Sequence, residues 1–554
     1  MARLFETHRI RRSYTLDGMW DFRMDGFDKD YRLPVPSVWE QHPDFLSHRG
    51  KGTYTRSVYI KRYGNIKLEF KGVSHTAEVY FDGEKIAEHY NAFTPFSAIV
   101  KGVKAGEHEV YVKVDNTFGE HSALHTPNDY YTYGGITRPV VLEEIPDVWI
   151  KNIRFIPYTR DGVWNAKIEV LIANASDRAH IAAVKATLAE REMATELNIN
   201  AGGEAVAVFD ERFDNVKAWS DKEPNLYYIN AVLSSENGET DDLIERVGFR
   251  EVEVRGTKLY LNGKPMYMKG FNRHEDYAVD GCAVTLNHIV QDMDLMRDMN
   301  ANAVRTCHYP NDERFLDLCD ERGMLVWEEN HARGFVLEQM QNPNFERQCE
   351  DCIREMIENH YNHPSIVIWG ILNECAAETE EGREMYSKQY AQIRSMDESR
   401  PVTSATCRHF TDITLDIPDV VSFNMYTKWY QDDDIADRND REIKWIKESG
   451  GDGKPIIVSE LGAAAIYGYR DRSMCKWSEE YQAKLIEESL EVYMNDDRIS
   501  GVFIWQFADC RVTEDGGWFA TRARCHNNKG IVDEYRRPKM AYDVVKELFE
   551  KADQ

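Results

Sequence analysis

Residues 365–374 read SIVIWGILNE, an apolar run that ends abruptly in Asn373 and Glu374. A short apolar run bounded by polar residues is typical of a strand that is buried on both faces. A second run, PIIVSE at 455–460, has the same form and ends in Glu460. Strands of this kind occur in parallel sheets that are covered by helices, so the two runs favour an α/β domain.

The chain around these runs alternates strand and helix patterns from about residue 250 onward. Eight strand candidates lie at 266–271, 303–307, 324–328, 365–371, 401–405, 420–425, 455–460 and 501–506. Amphipathic helical stretches between them include 287–299, 312–322, 345–360, 380–396 and 478–495. Eight such units in about 300 residues predict a (β/α)8 TIM barrel over 249–554. The fifth unit is weak, because 406–419 has little helical character.

The residues before the barrel show strand patterns without helical periodicity. Residues 1–145 contain several alternating segments, with Asp82-Gly83 as a hairpin turn, and predict a β jelly roll. Residues 146–248 contain six or seven further strand patterns, which fit an immunoglobulin-like β-sandwich. The sequence therefore predicts a multidomain protein with two β domains followed by a barrel.

Composition and charge exclude several classes of function. The 554 residues are 42% hydrophobic, and 95 acidic against 68 basic side chains give a net charge of −27. A chain this acidic lacks the basic footprint for nucleic acid or an anionic membrane, and an anionic substrate would need a local cation. The N-terminus offers no apolar stretch for a signal peptide, and no apolar run reaches the roughly 18 residues of a membrane helix. Since the ten cysteines lack disulfide spacing, we expect reduced thiols in a cytoplasmic protein.

Two carboxylates lie at predicted strand ends. In a TIM barrel the chemistry takes place at the carboxyl ends of the strands, and strands four and seven place Glu374 and Glu460 there from opposite sides. Glycoside cleavage needs such a pair, because one carboxyl protonates the departing oxygen while the other meets the developing oxocarbenium ion. A single glutamate would be more simply a solvated loop residue, but the pair, flanked by polar and aromatic strand ends, favours catalysis. The neighbouring strand ends carry His274, Asp276, Arg305, Trp327, Asn424 and Gln506.

Three motifs resemble signatures of glycoside hydrolase family 2, and within it the β-glucuronidase branch. They are NAVRTCHYP at 302–310, GILNE at 370–374 and IIVSELG at 456–462, and the resemblance extends over the whole chain, with a sugar-binding jelly roll. It implies that Glu374 is the acid/base and Glu460 the nucleophile. It also implies substrate-binding roles for Asp129 from the jelly roll, the pocket histidine His308, Asn373 at the sugar 2-hydroxyl, Tyr426 beside the nucleophile and Trp505 as sugar platform.

The segment NNKG at 527–530 resembles the Asn-x-Lys element with which uronidases hold the C6 carboxylate. In that role Lys529 is the point charge and Asn527 the hydrogen-bond donor, which supplies the local cation that an acidic protein needs. Many β-glucuronidases have an arginine four residues before the Asn. That position is Ala523 here, between Arg522 and Arg524, so the role cannot be assigned to one residue.

Arg333 is a second departure from the family pattern, because relatives typically have a small or apolar residue at this position. An arginine near the pocket could bind an axial 4-hydroxyl, which distinguishes galacturonate from glucuronate. The simpler alternative is a salt bridge between loops. No long insertion follows strand three, since 334–348 leads almost directly into a helix, so we expect an open aglycone side unless a neighbouring subunit covers it.

These observations predict a retaining exo-β-uronidase that hydrolyses terminal β-D-glucuronides, β-D-galacturonides or both by double displacement. A retaining mechanism places the two carboxyls about 5–5.5 Å apart, with a raised pKa on Glu374 and a lower one on Glu460. We expect a homo-oligomer that acts on a small uronic acid glycoside and needs no cofactor or metal. The lone Cys349–Cys352 pair and His121 with His125 lack further ligands for zinc. The alternatives are a family 2 β-galactosidase or β-mannosidase, and a non-catalytic carbohydrate-binding protein with a degenerate barrel.

Overall fold

The computed structural model describes residues 2–514, 517 and 521–552. It contains two β-sandwiches and a closed barrel of eight parallel strands, which confirms the predicted fold class. Within the described residues, no helix combines the length and the apolar character that crossing a membrane requires.

The first sandwich packs a four-stranded sheet against a six-stranded one. Its strands are β1 (Arg12–Thr15), β2 (Gly18–Met24), β3 (Tyr31–Val35), β4 (Lys51–Ile60), β5 (Gly64–Phe70), β6 (Val73–Ser74), β7 (Thr76–Phe81), β8 (Glu84–Tyr90), β9 (Phe96–Val103), β10 (Gly106–Asp115), β11 (Gly135–Ile136) and β12 (Val140–Ile145). The sheets run β1-β12-β5-β9 and β3-β2-β4-β10-β7-β8, and their inner faces share one apolar core. Asp82 and Gly83 join β7 to β8 with φ of 48° and 85°, the left-handed pair that a tight hairpin requires.

The second sandwich has seven strands in two sheets around its own core. The strands are β13 (Val148–Arg160), β14 (Val163–Asn174), β15 (His180–Leu188), β16 (Arg191–Ile199), β17 (Glu204–Phe213), β18 (Tyr227–Ser235) and β19 (Thr240–Val247). Their order is β13-β14-β17 in one sheet and β16-β15-β18-β19 in the other. Buried and more exposed positions alternate along β15, so one face of the strand is buried and the other is turned toward solvent.

A small sheet precedes the barrel: β20 (Val252–Arg255), β21 (Lys258–Leu261) and β22 (Lys264–Met266). Its Leu259 and Leu261 belong to the same apolar cluster as Met268 and Phe503 of the barrel. The barrel strands are β23 (Met268–Asn272), β24 (Ala303–Thr306), β25 (Leu325–Glu329), β26 (Ile366–Asn373), β27 (Val402–Thr406), β28 (Val421–Asn424), β29 (Ile456–Leu461) and β30 (Ile499–Ile504). Every residue of these eight strands is buried, which explains why apolar residues predominate in their sequences.

Helices surround the barrel, except in its fifth unit. They are α1 (Leu286–Asp298), α2 (Glu313–Arg322), α3 (Leu337–Met340), α4 (Phe345–His360), α5 (Glu380–Met396), α6 (Ile435–Ile446), α7 (Glu479–Met494) and α8 (Ala541–Lys551). A short strand pair, β31 (Cys510–Arg511) and β32 (His526–Asn527), extends beyond β30. Residues 407–420 connect β27 to β28 as a loop without a helix, as the weak periodicity there predicts. We call this segment the fifth loop.

The jelly roll docks onto the carboxyl-end face of the barrel. Phe93 stacks on Tyr309 with ring centroids 3.7 Å apart, and Arg138 donates to Glu275 at 2.6 Å in a buried ion pair. Truncating one partner of such a pair would leave an uncompensated buried charge. This docking brings residues 116–134, the loop between β10 and β11, over the ends of the barrel strands, where Asp129 meets Arg522.

Candidate active site

Glu374 lies directly after β26 and is fixed through both its backbone and its side chain. Its amide donates to the carbonyl of Ala405 at 2.8 Å. Its φ of 55° is in the left-handed region, an uncommon conformation for a residue with a side chain and one that is frequent at functional sites. The Asn424 amide donates to Oε1 at 2.8 Å, and Arg333 lies 3.5 Å from Oε2.

Glu460 lies within β29, and two side chains donate to its carboxylate. The Tyr426 hydroxyl donates to Oε2 at 2.6 Å, and Arg305 Nη1 donates to Oε1 at 3.0 Å. Glu374 and Glu460 line one cavity of about 370 Å³ at the carboxyl ends of the strands. The predicted separation of about 5–5.5 Å between their carboxyls stays a prediction.

Arg305 connects the nucleophile position to the rest of the site. Its guanidinium donates to both oxygens of Glu329, at 2.9 and 3.0 Å, in the bidentate geometry that fixes an arginine in one orientation. The same side chain donates to Asn373 Oδ1 at 2.9 Å. Asn424 also donates to Asn373 Oδ1, at 3.2 Å, and to Glu374. The two candidate catalytic glutamates are therefore joined by a continuous hydrogen-bond network.

The electrostatics of Glu460 differ from the sequence-based expectation. Burial raises its pKa to about 7, and the nearby Glu374 adds to the rise, while Arg305 and Tyr426 oppose it. The expected low pKa of Glu460 is therefore not found, because desolvation outweighs the two hydrogen bonds. Burial also raises the pKa of Glu329 to about 7, against the influence of Arg305.

The other end of the cavity carries two cations beside a tyrosine and an aspartate. Lys529 Nζ donates to the Tyr430 hydroxyl at 3.1 Å. Arg522 donates to both oxygens of Asp129, at 2.9 and 2.6 Å, and lies 3.5 Å from the same hydroxyl. Burial, and next the charge of Arg522, lower the pKa of Lys529. The positive charges of Lys529 and Arg522 repel each other, and an anion placed between them would offset that repulsion.

Most of the sequence-predicted residues line this cavity. They are Asp129, Arg333, Glu374, Tyr426, Glu460, Trp505 and Lys529. The remaining three are buried directly behind it. His308 stacks on Trp505 at 5.0 Å and bonds Glu329 at 2.8 Å, and Asn373 accepts from Arg305. Asn527 donates to Asp129 at 2.8 Å, so its amide holds Asp129.

Arg333 lies between the jelly-roll loop and Glu374. Its Nη1 donates to Asn128 Oδ1 at 2.9 Å, while Nη2 is the atom near Glu374. The residue therefore makes an inter-loop contact, as the simpler alternative supposes, and also forms part of the cavity wall.

Sequence reasoning did not assign several residues that line the cavity: Cys407, His409, Tyr430, Gln431 and Arg522. The sequence does not show whether Arg522 or Arg524 takes the role of the arginine found in many β-glucuronidases. The structure separates them, because Arg524 has φ of 61° and pairs with Glu534, whereas Arg522 enters the cavity. Tyr430 follows Tyr426 by four residues in the segment after β28. Outside a helix this spacing does not indicate that the two side chains lie on the same face.

Two clusters among the described residues have the ligand types of a metal site. Asp317, Asp320 and His363 form one, but Arg3 and Arg246 pair with its carboxylates, which makes it an ion-pair network. His274, Cys307 and His308 form the other, behind Trp505. Burial keeps the pKa of Cys307 well above its usual value, so this sulfur remains a thiol and a weak ligand.

Comparison with known proteins gives consistent matches along the chain. Glycosyl hydrolases family 2 matches with its sugar-binding domain at 16–146, its central domain at 148–250 and its TIM barrel domain at 252–553. A family 2 β-galacturonidase from Eisenbergiella tayi, solved with galacturonate bound, is 48% identical, with a TM-score of 0.97 over 100% of this chain and 99% of that one. The β-D-glucuronidase structure of Dictyoglomus thermophilum is 27% identical, with a TM-score of 0.85 over 100% and 98%. A β-glucuronidase of Streptococcus agalactiae is 26% identical over 98% of this chain and 96% of that protein.

Proposed function

Since the chain belongs to glycosyl hydrolase family 2, we propose that it is an exo-β-uronidase that releases terminal uronic acids by double displacement. The observation that carries the proposal is a single cavity with paired carboxylates at one side and two cations at the other. The carboxylates supply glycoside cleavage, and the cations select a sugar whose C6 is a carboxylate.

The mechanism follows from the positions of the two glutamates. Glu460 attacks the anomeric carbon as the bond to the aglycone oxygen breaks, and Glu374 gives its proton to that oxygen. Arg305 and Tyr426 hold the attacking carboxylate in one orientation. Water then attacks the glycosyl-enzyme ester, Glu374 takes the proton of the water, and the sugar leaves with its original anomeric configuration.

The substrate carboxylate is bound between Lys529 and Arg522, with the Tyr430 hydroxyl beside both. Arg522 therefore takes the role that the sequence left undecided, as planar donor, and Lys529 acts as point charge. Asp129, held by Arg522 and Asn527, accepts from sugar hydroxyls. Trp505, backed by His308, supplies an aromatic platform for the apolar face of the ring.

The 48% identity to a β-galacturonidase and the position of Arg333 in the cavity wall support galacturonides as substrates. The Arg333 guanidinium can donate to the axial 4-hydroxyl of galacturonate, whereas the equatorial 4-hydroxyl of glucuronate does not offer it that acceptor.

We also propose a homo-oligomeric, cytoplasmic enzyme. All ten cysteines are free, as expected for a reducing compartment. Light scattering after size-exclusion chromatography measures the assembly.

A panel of p-nitrophenyl β-glycosides tests the proposed function. We expect the galacturonide and glucuronide to be hydrolysed with a higher kcat/KM than the galactoside and mannoside, and NMR to show the β-anomer of the released sugar first. The Glu460→Gln variant is the inactive control. A preference for a neutral glycoside would contradict the role of the cations, and release of the α-anomer would contradict double displacement.

A further inference from the structure

The fifth loop lies beside the acid/base glutamate but has no part in the mechanism above. The amide of Glu374 donates to the carbonyl of Ala405, one residue before the end of β27. Cys407 and His409 follow within the fifth loop and line the same cavity as Glu374. The fifth unit of the barrel has no helix, and its loop places side chains at the catalytic face instead.

Barrel order places the fifth loop on the aglycone side. Lys529 and Arg522 belong to the segment that follows β30, the eighth strand, whereas Cys407 and His409 follow β27, the fifth. Three steps around an eight-stranded barrel put these groups across the cavity from each other. With the uronic acid held by the cations, the bond that Glu374 protonates faces the fifth loop. The group attached to that bond must then meet Cys407 and His409.

His409 is held in one orientation by a buried carboxylate. Its Nδ1 donates to Glu442 Oε1 at 2.7 Å, and Glu442, on α6, is fully buried. Arg438 lies 3.6 Å from the other carboxylate oxygen. Because Nδ1 is bound to Glu442, Nε2 is the ring nitrogen that can meet a ligand, and in the neutral imidazole it accepts a hydrogen bond. Gln431, which follows β28, is exposed and also lines the cavity.

The aromatic rings of the cavity lie at its glycone end. Lys529 Nζ is 5.5 Å from the Tyr426 ring and 5.4 Å from the Tyr430 ring. Trp505 stacks on His308. Among the described residues that line the cavity, the fifth loop and Gln431 contribute an imidazole, a thiol and an amide. The Phe410 ring packs against Trp445, at 5.5 Å, and under Arg438. This wall offers hydrogen bonds and no stacking surface.

We propose that His409, positioned by Glu442, forms with Gln431 a subsite for a hydroxylated aglycone, the next sugar of a glycan. A sugar hydroxyl donates to His409 Nε2, and the Gln431 amide bonds a neighbouring hydroxyl. A flat aryl aglycone gains neither contact. The inference rests on the proposed uronidase function and adds its substrate class: terminal uronic acids linked to a sugar.

The test compares two substrates of the same glycone. One is p-nitrophenyl β-galacturonide, and the other is a disaccharide in which β-galacturonate is linked to a neutral hexose; released galacturonate is measured by chromatography for both. In His409→Ala we expect kcat/KM to fall about three- to tenfold more for the disaccharide than for the aryl substrate, as for one lost hydrogen bond. Glu442→Gln should change the ratio in the same direction, because it loosens the imidazole.

His108→Ala is the matched control, since His108 makes the same kind of Nδ1 contact to a carboxylate, Asp82 at 2.6 Å, on the jelly roll. It should leave the ratio of the two substrates unchanged. Equal losses on both substrates in the His409 and Glu442 variants would overturn the subsite. If His409→Ala does not fold, Gln431→Ala, at an exposed position, should change the ratio two- to threefold in the same direction. A wild-type enzyme that hydrolyses neither substrate would instead refute the proposed function.

Discussion

Replacing Lys529 with methionine tests directly whether the cavity selects a carboxylate. Lys529→Met keeps the length and most of the volume of the side chain but removes the ammonium group. That group bonds the Tyr430 hydroxyl, and Arg522 lies 3.5 Å from the same hydroxyl, so the tyrosine keeps a neighbouring donor in the variant. The side chain of Lys529 is almost fully buried, so its charge faces the substrate with little water between.

The expected loss follows from one charge-assisted hydrogen bond. Such a bond contributes about 1.5–3 kcal/mol, and 1.36 kcal/mol corresponds to a tenfold change in rate. The kcat/KM for uronides should therefore fall roughly 10- to 150-fold, while any activity on a neutral galactoside should fall no more than about threefold, because its C6 hydroxyl carries no charge. Since burial and Arg522 lower the pKa of Lys529, the wild-type kcat/KM for uronides should also decline at alkaline pH as this group loses its proton.

The assay measures kcat/KM for p-nitrophenyl β-galacturonide, β-glucuronide and β-galactoside at fixed ionic strength. Lys476→Met is the control, since Lys476 bonds the carbonyl of Trp429 outside the cavity. Parallel losses on uronides and galactoside would mean that Lys529 supports the fold of the loop and does not bind the carboxylate. That result would refute the electrostatic reasoning.

Three further predictions concern the remaining cavity residues. Arg333→Ala should raise the ratio of glucuronide to galacturonide hydrolysis, and an unchanged ratio would leave the arginine as an inter-loop contact. Glu460→Gln should abolish turnover of every substrate, whereas Glu374→Gln should reduce kcat most for poor leaving groups, which depend on protonation; equal losses across leaving groups would contradict that assignment. With the pKa of Glu460 raised to about 7, kcat/KM should increase as pH rises through 7, because the nucleophile must be ionised. Tyr426→Phe removes a hydrogen bond that lowers the pKa of Glu460, so the increase in kcat/KM should shift to higher pH. An unchanged pH profile would mean that another group causes the increase.

The barrel could be predicted from the sequence because its strands are buried on both faces. Such strands are continuous apolar runs that stop where the chain meets the catalytic face, so the positions of all eight could be read directly. The largest difference is 501–506 predicted against Ile499–Ile504 observed. The small sheet β20–β22 lies within the predicted barrel domain of 249–554, but the sequence does not predict it as a separate sheet, because its strands have only three or four residues each. Its Leu259 and Leu261 share an apolar cluster with Met268 and Phe503 of the barrel.

The catalytic pair could be predicted because strand ends leave little freedom in where Glu374 and Glu460 point. The substrate-binding loops leave more freedom. Whether Arg522 or Arg524 enters the cavity depends on a left-handed residue and on Glu534, neither of which shows in the local sequence. His409 lies in a loop where no periodicity applies, and its partner Glu442 is on a helix 33 residues later. Long-range pairing of this kind is a property of the fold.

The structure also shows how a chain with a net charge of −27 can bind an anion. At physiological ionic strength charges are screened over about 8 Å, so acidic groups on the distant surface contribute little inside a buried cavity. The potential there is set by the groups that line it: Arg333, Arg522 and Lys529 against Asp129, Glu374 and Glu460. Asp129 is paired with Arg522, and Arg305 neutralises Glu460 from behind, which leaves Lys529 as the cation that is least compensated. Its pKa is lowered because burial and a neighbouring arginine disfavour its charge. A bound uronate would oppose that effect, so the same interaction that stabilises the charge of Lys529 gives the site its preference for an acid.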